Sequence, residues 1–474
     1  DDPMIDDLWE NAILVAGEND GSLDPGDYIL FYGESPDAWA WDDGSEQFVH
    51  QLNIYSKFTY YFITADLGPG KRIQTVSSSS QPATHQVNAF TDRKFIEKDD
   101  LNIVRTGRDW FEYPPYEIQT EAEYTFNFPN IITGQPVKMR TRVAARSSTS
   151  SNFKYYLNGS QLVETVNVQS VSFTTDQYAR TAKGESEFTP TGSNIVLEVT
   201  YSKPSSGSIG WMDYIALNAR RSLSFSGGQM GFRDPESAGQ GNIAQYNLDN
   251  APANISIWDI TDKFNIRRID AGVSGTGMSF RLPSDMINEF ISFDGSSYYS
   301  VSPQGKIQNQ NLHAIATPDL VIVTHASFLS EANRLGNHHI DHDGLDVFVT
   351  DVEKVYNEFS SGAQDITAIR NFMKMLYDRS VSGDECRYLM LFGDASYDYK
   401  NRLENNNNFV PTWEDTRSMN IISSIATDDY YGFLDDGEGG GGQYELLDLG
   451  IGRLVVSTSE SARQMVDKIL NYAN

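Results

Sequence analysis

The hydrophobic pattern of this chain changes its period near residue 306, and that change constrains the fold more than any other feature. Before it the signal is alternation. Val137-Lys138-Met139-Arg140-Thr141-Arg142-Val143 places three basic residues on the face opposite Val137, Met139 and Val143, and Ile195, Leu197 and Val199 repeat the device. Tyr28-Ile29-Leu30-Phe31-Tyr32 and Tyr60-Tyr61-Phe62-Ile63-Thr64 are short aromatic and β-branched runs bounded by Gly, Asp and Pro. Alternation of this kind marks antiparallel strands with one wet face, for which sandwiches are the natural architecture. The segment therefore reads as β-sandwich or jelly-roll-like domains at about 1–115 and about 116–222, the second closing on Trp211–Asn218. A third β segment at about 223–306 contains Ile255–Ile260. The polar stretch from Ser302 to Asn311 reads as a linker.

After the linker, strands alternate with helical periods. Leu320–Thr324 is a strand followed by a short helix around Phe328–Leu335, and Leu345–Thr350 is the next strand. Asp365 is placed to cap a helix whose apolar residues Ile369, Phe372, Met373 and Leu376 fall at i, i+3, i+4 and i+7. Tyr388–Phe392 is an apolar run ending in Gly393-Asp394, and a long insertion separates it from a strand through Ile451-Gly452-Arg453. Ser457-Thr458-Ser459-Glu460 reads as a capping box for a last helix. This order predicts a mostly parallel sheet with helices on its faces. A final helix with no strand after it is the order expected of a piece of a longer protein.

Composition narrows the function. At 474 residues the chain exceeds what one core organises. A net charge of −29 disfavours nucleic acid and anionic lipid as partners. A single cysteine, Cys386, excludes a disulfide framework and a cysteine-based zinc cluster. No apolar run reaches the roughly 18 residues of a membrane-spanning helix, and the start, Asp1-Asp2-Pro3-Met4, carries no signal-peptide pattern.

Chemistry-bearing residues are few. Cys386 precedes a strand instead of following it, so it sits at the wrong end for a nucleophile and reads as a buried thiol. His325 follows a strand but has no nucleophile to join. His338, His339 and His342 form a loose cluster, and Asp341-His342-Asp343-Gly344 reads as a solvated turn. The acids Asp394, Asp435 to Glu438 and Asp448 come from two strand ends and the loop between them, an oxygen-rich set of the kind Ca²⁺ accepts in forgiving geometry. The alternative is an acidic, Gly-rich surface loop.

Residues from about 312 onward resemble the amino-terminal half of the gingipain-type cysteine peptidase domain. The matching pieces are Leu320–His325, Asp343-Gly344-Leu345, Asp365–Phe372, Leu391–Asp394, Thr427–Gly432 and Ile451-Gly452-Arg453. Tyr356–Gly362, Phe392–Asp398, Gly26–Gly33, Gly107–Phe111 and Asp213–Arg221 are similar to one branch of that family, the PorU-like sortases of the type IX secretion system. The resemblance implies a caspase-like α/β fold, here its first half, in a protein peripheral to the outer membrane at the bacterial cell surface. Its family cleaves carboxy-terminal sorting domains from secreted cargo and joins the new carboxyl end to anionic lipopolysaccharide, beside an outer-membrane β-barrel protein similar to PorV. It also implies a structural Ca²⁺ held by Asp394, the Asp435 carbonyl with Glu438, the Leu446 carbonyl and Asp448. The family's catalytic histidine follows a Gly-His-Gly type motif and its cysteine ends a later strand. This chain has no Gly-His-Gly and no cysteine after Cys386, so no catalytic residue carries over and the chain alone is expected to be inactive. The competing expectation is a non-catalytic surface module binding carbohydrate or protein, with Trp39, Trp41 and Trp211 as candidate sugar platforms.

Overall fold

The computed structural model describes Ile5 and residues 8–473 apart from 23, 66, 382 and 441–444. The amino-terminal residues 1–4 and part of the Gly-rich loop lie outside the described residues.

Two β-sandwiches come first. One pairs a sheet ordered Gln161–Val168, Ser151–Leu157, Asn194–Ser202, Glu121–Asn127 with a second ordered Arg180–Phe188, Val137–Arg146, Ile209–Ser222, Ala89–Glu97. Both are antiparallel, and the alternating residues behave as their period dictates: Val137, Met139, Val143, Ile195, Leu197 and Val199 point into one core. The opposite face of Val137–Arg146 is not open to water. The hairpin Ala38–Asp42/Gln47–Gln51 covers it, with Lys138 donating to the carbonyls of Ser45 and Glu46 and Asn218 exchanging two hydrogen bonds with the Phe48 backbone.

The second sandwich stacks a five-stranded sheet ordered Gln229–Arg233, Glu289–Phe293, Ser256–Asp259, Arg267–Asp270, Gln74–Ser77 on a four-stranded one ordered Gly272–Ser274, Gly277–Pro283, Ile243–Leu248, His85–Val87. Phe232, Tyr246, Phe280 and Phe290 stack at its centre. Strand pairing therefore crosses the divisions drawn at 115 and 222. Gln74–Ser77 and His85–Val87 complete sheets of the second sandwich, and Ala89–Glu97 is an edge strand of the first. The reason is physical: alternation reports which face of a strand is buried, not which strand lies beside it.

The remainder is an α/β unit of four parallel strands, β1 (Leu320–Thr324), β2 (Val347–Asp351), β3 (Tyr388–Phe392) and β4 (Gly450–Leu454), in the spatial order β2-β1-β3-β4. Its helices are α1 (Leu329–His338), α2 (Val352–Phe359), α3 (Ile366–Asp378) and α4 (Ser459–Ala473). Helices α2 and α3 pack on the face carrying Val321, Val323, Leu389 and Leu391, and α1 and α4 on the face of Leu320, Ile322 and Phe392. Asp365 caps α3 through the Thr367 amide at 2.8 Å. The capping box of α4 lies one residue later than its sequence pattern suggests, between Thr458 and Ser461, while Glu460 pairs with Arg463. Helix α2, capped by Asp351, is an addition to the sequence reading. The His338–His342 stretch is not a loop either: α1 continues into one turn of π-helix, His339–Asp343, ended by Gly344 at φ 68°.

The interlocked sandwiches give a direct test. A chain starting at residue 116 loses three strands from the two sandwiches and bares the edge of Ile209–Ser222. It is expected to lose cooperative thermal unfolding and to aggregate by size-exclusion chromatography; an unchanged, cooperative melt would show that residues 1–115 are independent.

Candidate functional site

In an open α/β sheet the functional crevice lies beyond the strand carboxyl ends where the strand order reverses, here between β1 and β3. Thr324, ending β1, donates its hydroxyl to the Phe392 carbonyl that ends β3 at 2.9 Å. His325 follows, its ring packed edge-on against Phe409 and its Nδ1 accepting the Ser327 amide at 3.2 Å. Asp394 lies past the end of β3. Its side chain accepts the Ala395 amide, and its carbonyl accepts the amides of Phe409 and Val410, so it shapes the turn that opens the insertion. No thiol reaches this crevice. Cys386 lies two residues before β3, buried, with Sγ 3.7 Å from the Tyr388 carbonyl. Burial pushes its thiol up to about 11, so at neutral pH it is protonated and a poor nucleophile.

The other acids lie at the opposite end of the sheet. Because β4 runs parallel to β3 with Gly450 opposite Tyr388 and Leu454 opposite Phe392, a residue preceding β4 and a residue following β3 are separated by the strands' length. At about 3.3 Å per residue this is roughly 13 Å before the flanking turns are counted. Asp394 therefore does not join Asp448, and the five-residue ligand set expected from the resemblance is corrected to two groups.

The loop group is held by one stripe of α3. Arg370 donates to the carbonyls of Phe433 and Glu438, Lys374 to the Leu434 carbonyl and to Asp436, and Tyr377 to Asp435 at 3.0 Å. Asp448 accepts the Leu434 amide at 2.8 Å, and Glu438 Oε1 lies 3.4 Å from the Leu446 amide. The Asp435 carbonyl is taken by the Glu438 amide. Among the described residues no three His, Cys, Asp or Glu side chains are arranged to hold a metal ion. One feature does fit a cation: among the described residues, Glu438 Oε2 is buried without a hydrogen-bond partner, a costly state for a carboxylate oxygen.

What the sequence reading passed over is the role of Arg453. From β4 its guanidinium reaches the carbonyls of Gly393, Val410 and Pro411 and both carboxylate oxygens of Asp428, five bonds of 2.7–3.0 Å. Thr412 adds a bond to Asp428. This ties the start of the insertion, its Thr427–Gly432 stretch and β4 into one node; the Ile-Gly-Arg and Thr-Asp-Asp pieces were visible in the sequence, but their pairing was not.

The insertion in turn seats on the first sandwich. Glu414 accepts the Gly107 amide at 2.7 Å, Ser418 accepts the amides of Arg108 and Asp109, and Arg402 joins Asp99 to Asp398 while lying over Trp110. A cavity of about 150 Å³ remains at this seam, lined by Glu97, Asp99, Asp109 and Asp213 with Arg108, Arg142 and Arg402. Arg142 bridges Asp109 and Asp213, and burial still pushes the Asp213 carboxyl upward against it. The candidate sugar platforms are occupied: Trp211 is buried, Trp39 packs on Phe95 and His50, and Trp41 packs edge-on to Phe48.

Fold and strand-end geometry define a multidomain protein in which β domains carry part of a caspase-like α/β unit. Residues 313–474 match the model of peptidase family C25. Over 99% of its length the chain is similar to dimeric latent PorU from Porphyromonas gingivalis, at 22% identity and a TM-score of 0.82, covering 45% of that protein. The carbohydrate-binding module CBM36 in complex with calcium and xylotriose aligns with 26% of this chain and 98% of its own, at 13% identity and a TM-score of 0.19. The Cry4Aa toxin from Bacillus thuringiensis aligns with 22% of this chain and 18% of its own, at 18% identity and a TM-score of 0.17. These last two scores are too low to bear on the argument. No curated protein sequence matches the chain. The segment 313–474 thus matches the C25 cysteine peptidase family, the chain as a whole is PorU-like in fold, and it spans less than half the length of that PorU.

Two outcomes follow from this geometry. Arg453→Ala leaves half-buried Asp428 with only its Thr412 bond, strips three carbonyls of this partner, and is expected to cost about 3–5 kcal/mol in denaturant unfolding; a loss near zero would remove the node. Maleimide should label Cys386 slowly in the folded chain near pH 7 and rapidly in guanidinium, and labelling of the native chain at the rate of a free thiol would contradict its burial.

Proposed function

We propose that this chain is the scaffold and the partner- and cargo-docking portion of a cell-surface cysteine peptidase and transpeptidase. The whole enzyme cleaves carboxy-terminal sorting domains from type IX-secreted proteins and links them to anionic lipopolysaccharide, peripheral to the outer membrane and beside a β-barrel partner similar to PorV. What carries the reading is the C25 match of residues 313–474 within a PorU-like fold that includes the β domains. Among the described residues no helix is long and apolar enough to cross a membrane, so attachment through a partner is compatible with the chain.

The chemistry is acyl transfer. A thiolate attacks the scissile carbonyl, the C–N bond breaks as a histidine delivers a proton to the leaving amine, and an acceptor amine then displaces the thiolate from the thioester. Cys386 and His325 form no such dyad here: they lie at opposite ends of the strands, and the thiol is held protonated. The work of this chain is to hold the crevice walls, through the Thr324–Phe392 bond and the Arg453 node, and to present the seam and β domains to partners.

The same reading includes a structural Ca²⁺ at the loop before β4, through the Glu438 carboxylate, Asp448 and the Asp435 and Leu446 carbonyls, without Asp394. Oxygen donors on a loop suit that ion, and it would supply the partner that Glu438 lacks among the described residues.

Incubated with a reporter carrying a sorting domain, the purified chain is expected to bind it without cleaving or transferring it; cleavage abolished by Cys386→Ala would overturn the assignment. For the metal, millimolar Ca²⁺ should raise the melting temperature of wild type and of Asp394→Asn, but not of Glu438→Gln. Equal shifts in all three, or none in wild type, would remove the site from this loop.

A further inference from the structure

The three histidines at the end of α1 have no part in the function above, yet they are arranged with more order than a solvated turn requires. Helix α1 ends at His338, and the π-helical turn His339–Asp343 carries the chain on without a break. The turn stacks His342 on His338, with ring centroids 5.0 Å apart and planes inclined by 20°. Asp343 accepts from both neighbouring rings, 2.6 Å from His339 Nδ1 and 2.9 Å from His342 Nδ1. The outer part is open to solvent, with the His342 side chain 51% exposed and Asp343 41%, while His338 and His339 are half-buried.

We propose that His338 and His342 form a bidentate site for a borderline divalent transition ion such as Zn²⁺, Ni²⁺ or Cu²⁺, with Asp343 as its outer carboxylate. Histidines four residues apart on a helix face can present two imidazoles to one ion. Tetrahedral coordination at about 2.0–2.1 Å per nitrogen places the two donors roughly 3.3 Å apart. Rings stacked at this separation reach that spacing by tilting their edges together, with the helix backbone unmoved. A carboxylate on Nδ1 fixes the tautomer with the proton at that nitrogen and leaves the Nε2 lone pair free, the outer-shell arrangement that orients metal-binding histidines. Asp343 is already in place as that acceptor, one oxygen on each Nδ1 of His339 and His342. The location also favours a cation, because the carbonyls at a helix carboxyl end carry partial negative charge. Two imidazoles are a chelate, not a cage; water completes the coordination sphere, which fits the absence of a three-ligand group among the described residues. The imidazole donors separate this site from the oxygen-lined loop before β4, so the two respond to different ions.

Isothermal titration of the purified chain with Zn²⁺, and separately with Ca²⁺, tests the proposal. Wild type and the distant control His85→Ala should show a saturable Zn²⁺ event that His338→Ala and His342→Ala each abolish, while Ca²⁺ behaviour is the same in all four. Asp343→Asn should retain the event with affinity lowered about tenfold or more. Circular dichroism melts establish that the variants are folded. A wild-type isotherm without a Zn²⁺ event, or one that survives in the His338→Ala/His342→Ala double variant, overturns the site.

Discussion

The Arg453 guanidinium is the point on which the carboxyl-terminal half of this molecule depends. It stands on β4 opposite Leu391 and is largely removed from water, a state that costs several kcal/mol unless its donors are satisfied. Both Asp428 oxygens and three carbonyls satisfy it, and these five acceptors come from the turn after β3, the Val410-Pro411 pair and the Thr427–Gly432 stretch. An insertion of more than fifty residues is thus fastened to the sheet through one side chain and its partners. Gly393 is part of the same arrangement. It adopts φ 153°, and a Cβ there would crowd Phe409 and Val410 at 3.1–3.2 Å.

That fastening reaches the β domains. The insertion supplies Glu414, Ser418 and Arg402 to the 99–109 segment of the first sandwich, so the position of the sandwich is set by groups the Arg453 node holds in place. Charges meet at this seam in bidentate or bridging pairs with hydrogen-bonded surroundings, the geometry in which buried ions are tolerated. The pairs at this seam fix the first sandwich against the insertion that leads from β3 to β4. The acidic loop before β4 stands apart, braced by Arg370, Lys374 and Tyr377 of α3.

Much of this was legible residue by residue. The alternation from Val137 to Val143 gave a strand and its buried face; Asp365 and the Ile369–Leu376 spacing gave α3 and its cap. Helix α2 was equally visible in principle, since Val352, Val355, Tyr356 and Phe359 fall at helical spacing behind Asp351, but eight residues before a Ser-Ser-Gly turn give a short signal. The separation of Asp394 from Asp448 also followed from the sequence once parallel pairing was granted, because one residue follows its strand and the other precedes its own. Grouping them as strand-end acids overlooked strand direction. The histidine cluster was read as a turn for its Asp and Gly content, whereas the helix carries through it and stops only at Gly344.

By itself the sequence determined what most segments are: strands from their period of two, though Tyr60–Thr64 forms none, helices other than α2 from their caps and spacing, a buried Cys386 from its place before a strand, and a gingipain-type unit from its motifs. These are local properties, dictated by side-chain periodicity and backbone preference within a few residues. Only the tertiary structure decided which strands are neighbours, that residues 74–97 belong to two sandwiches at once, that Arg453 finds Asp428, and which acids share an end of the sheet. Those outcomes turn on contacts between residues far apart in the chain, where the number of alternative pairings is large and period carries no label for the partner.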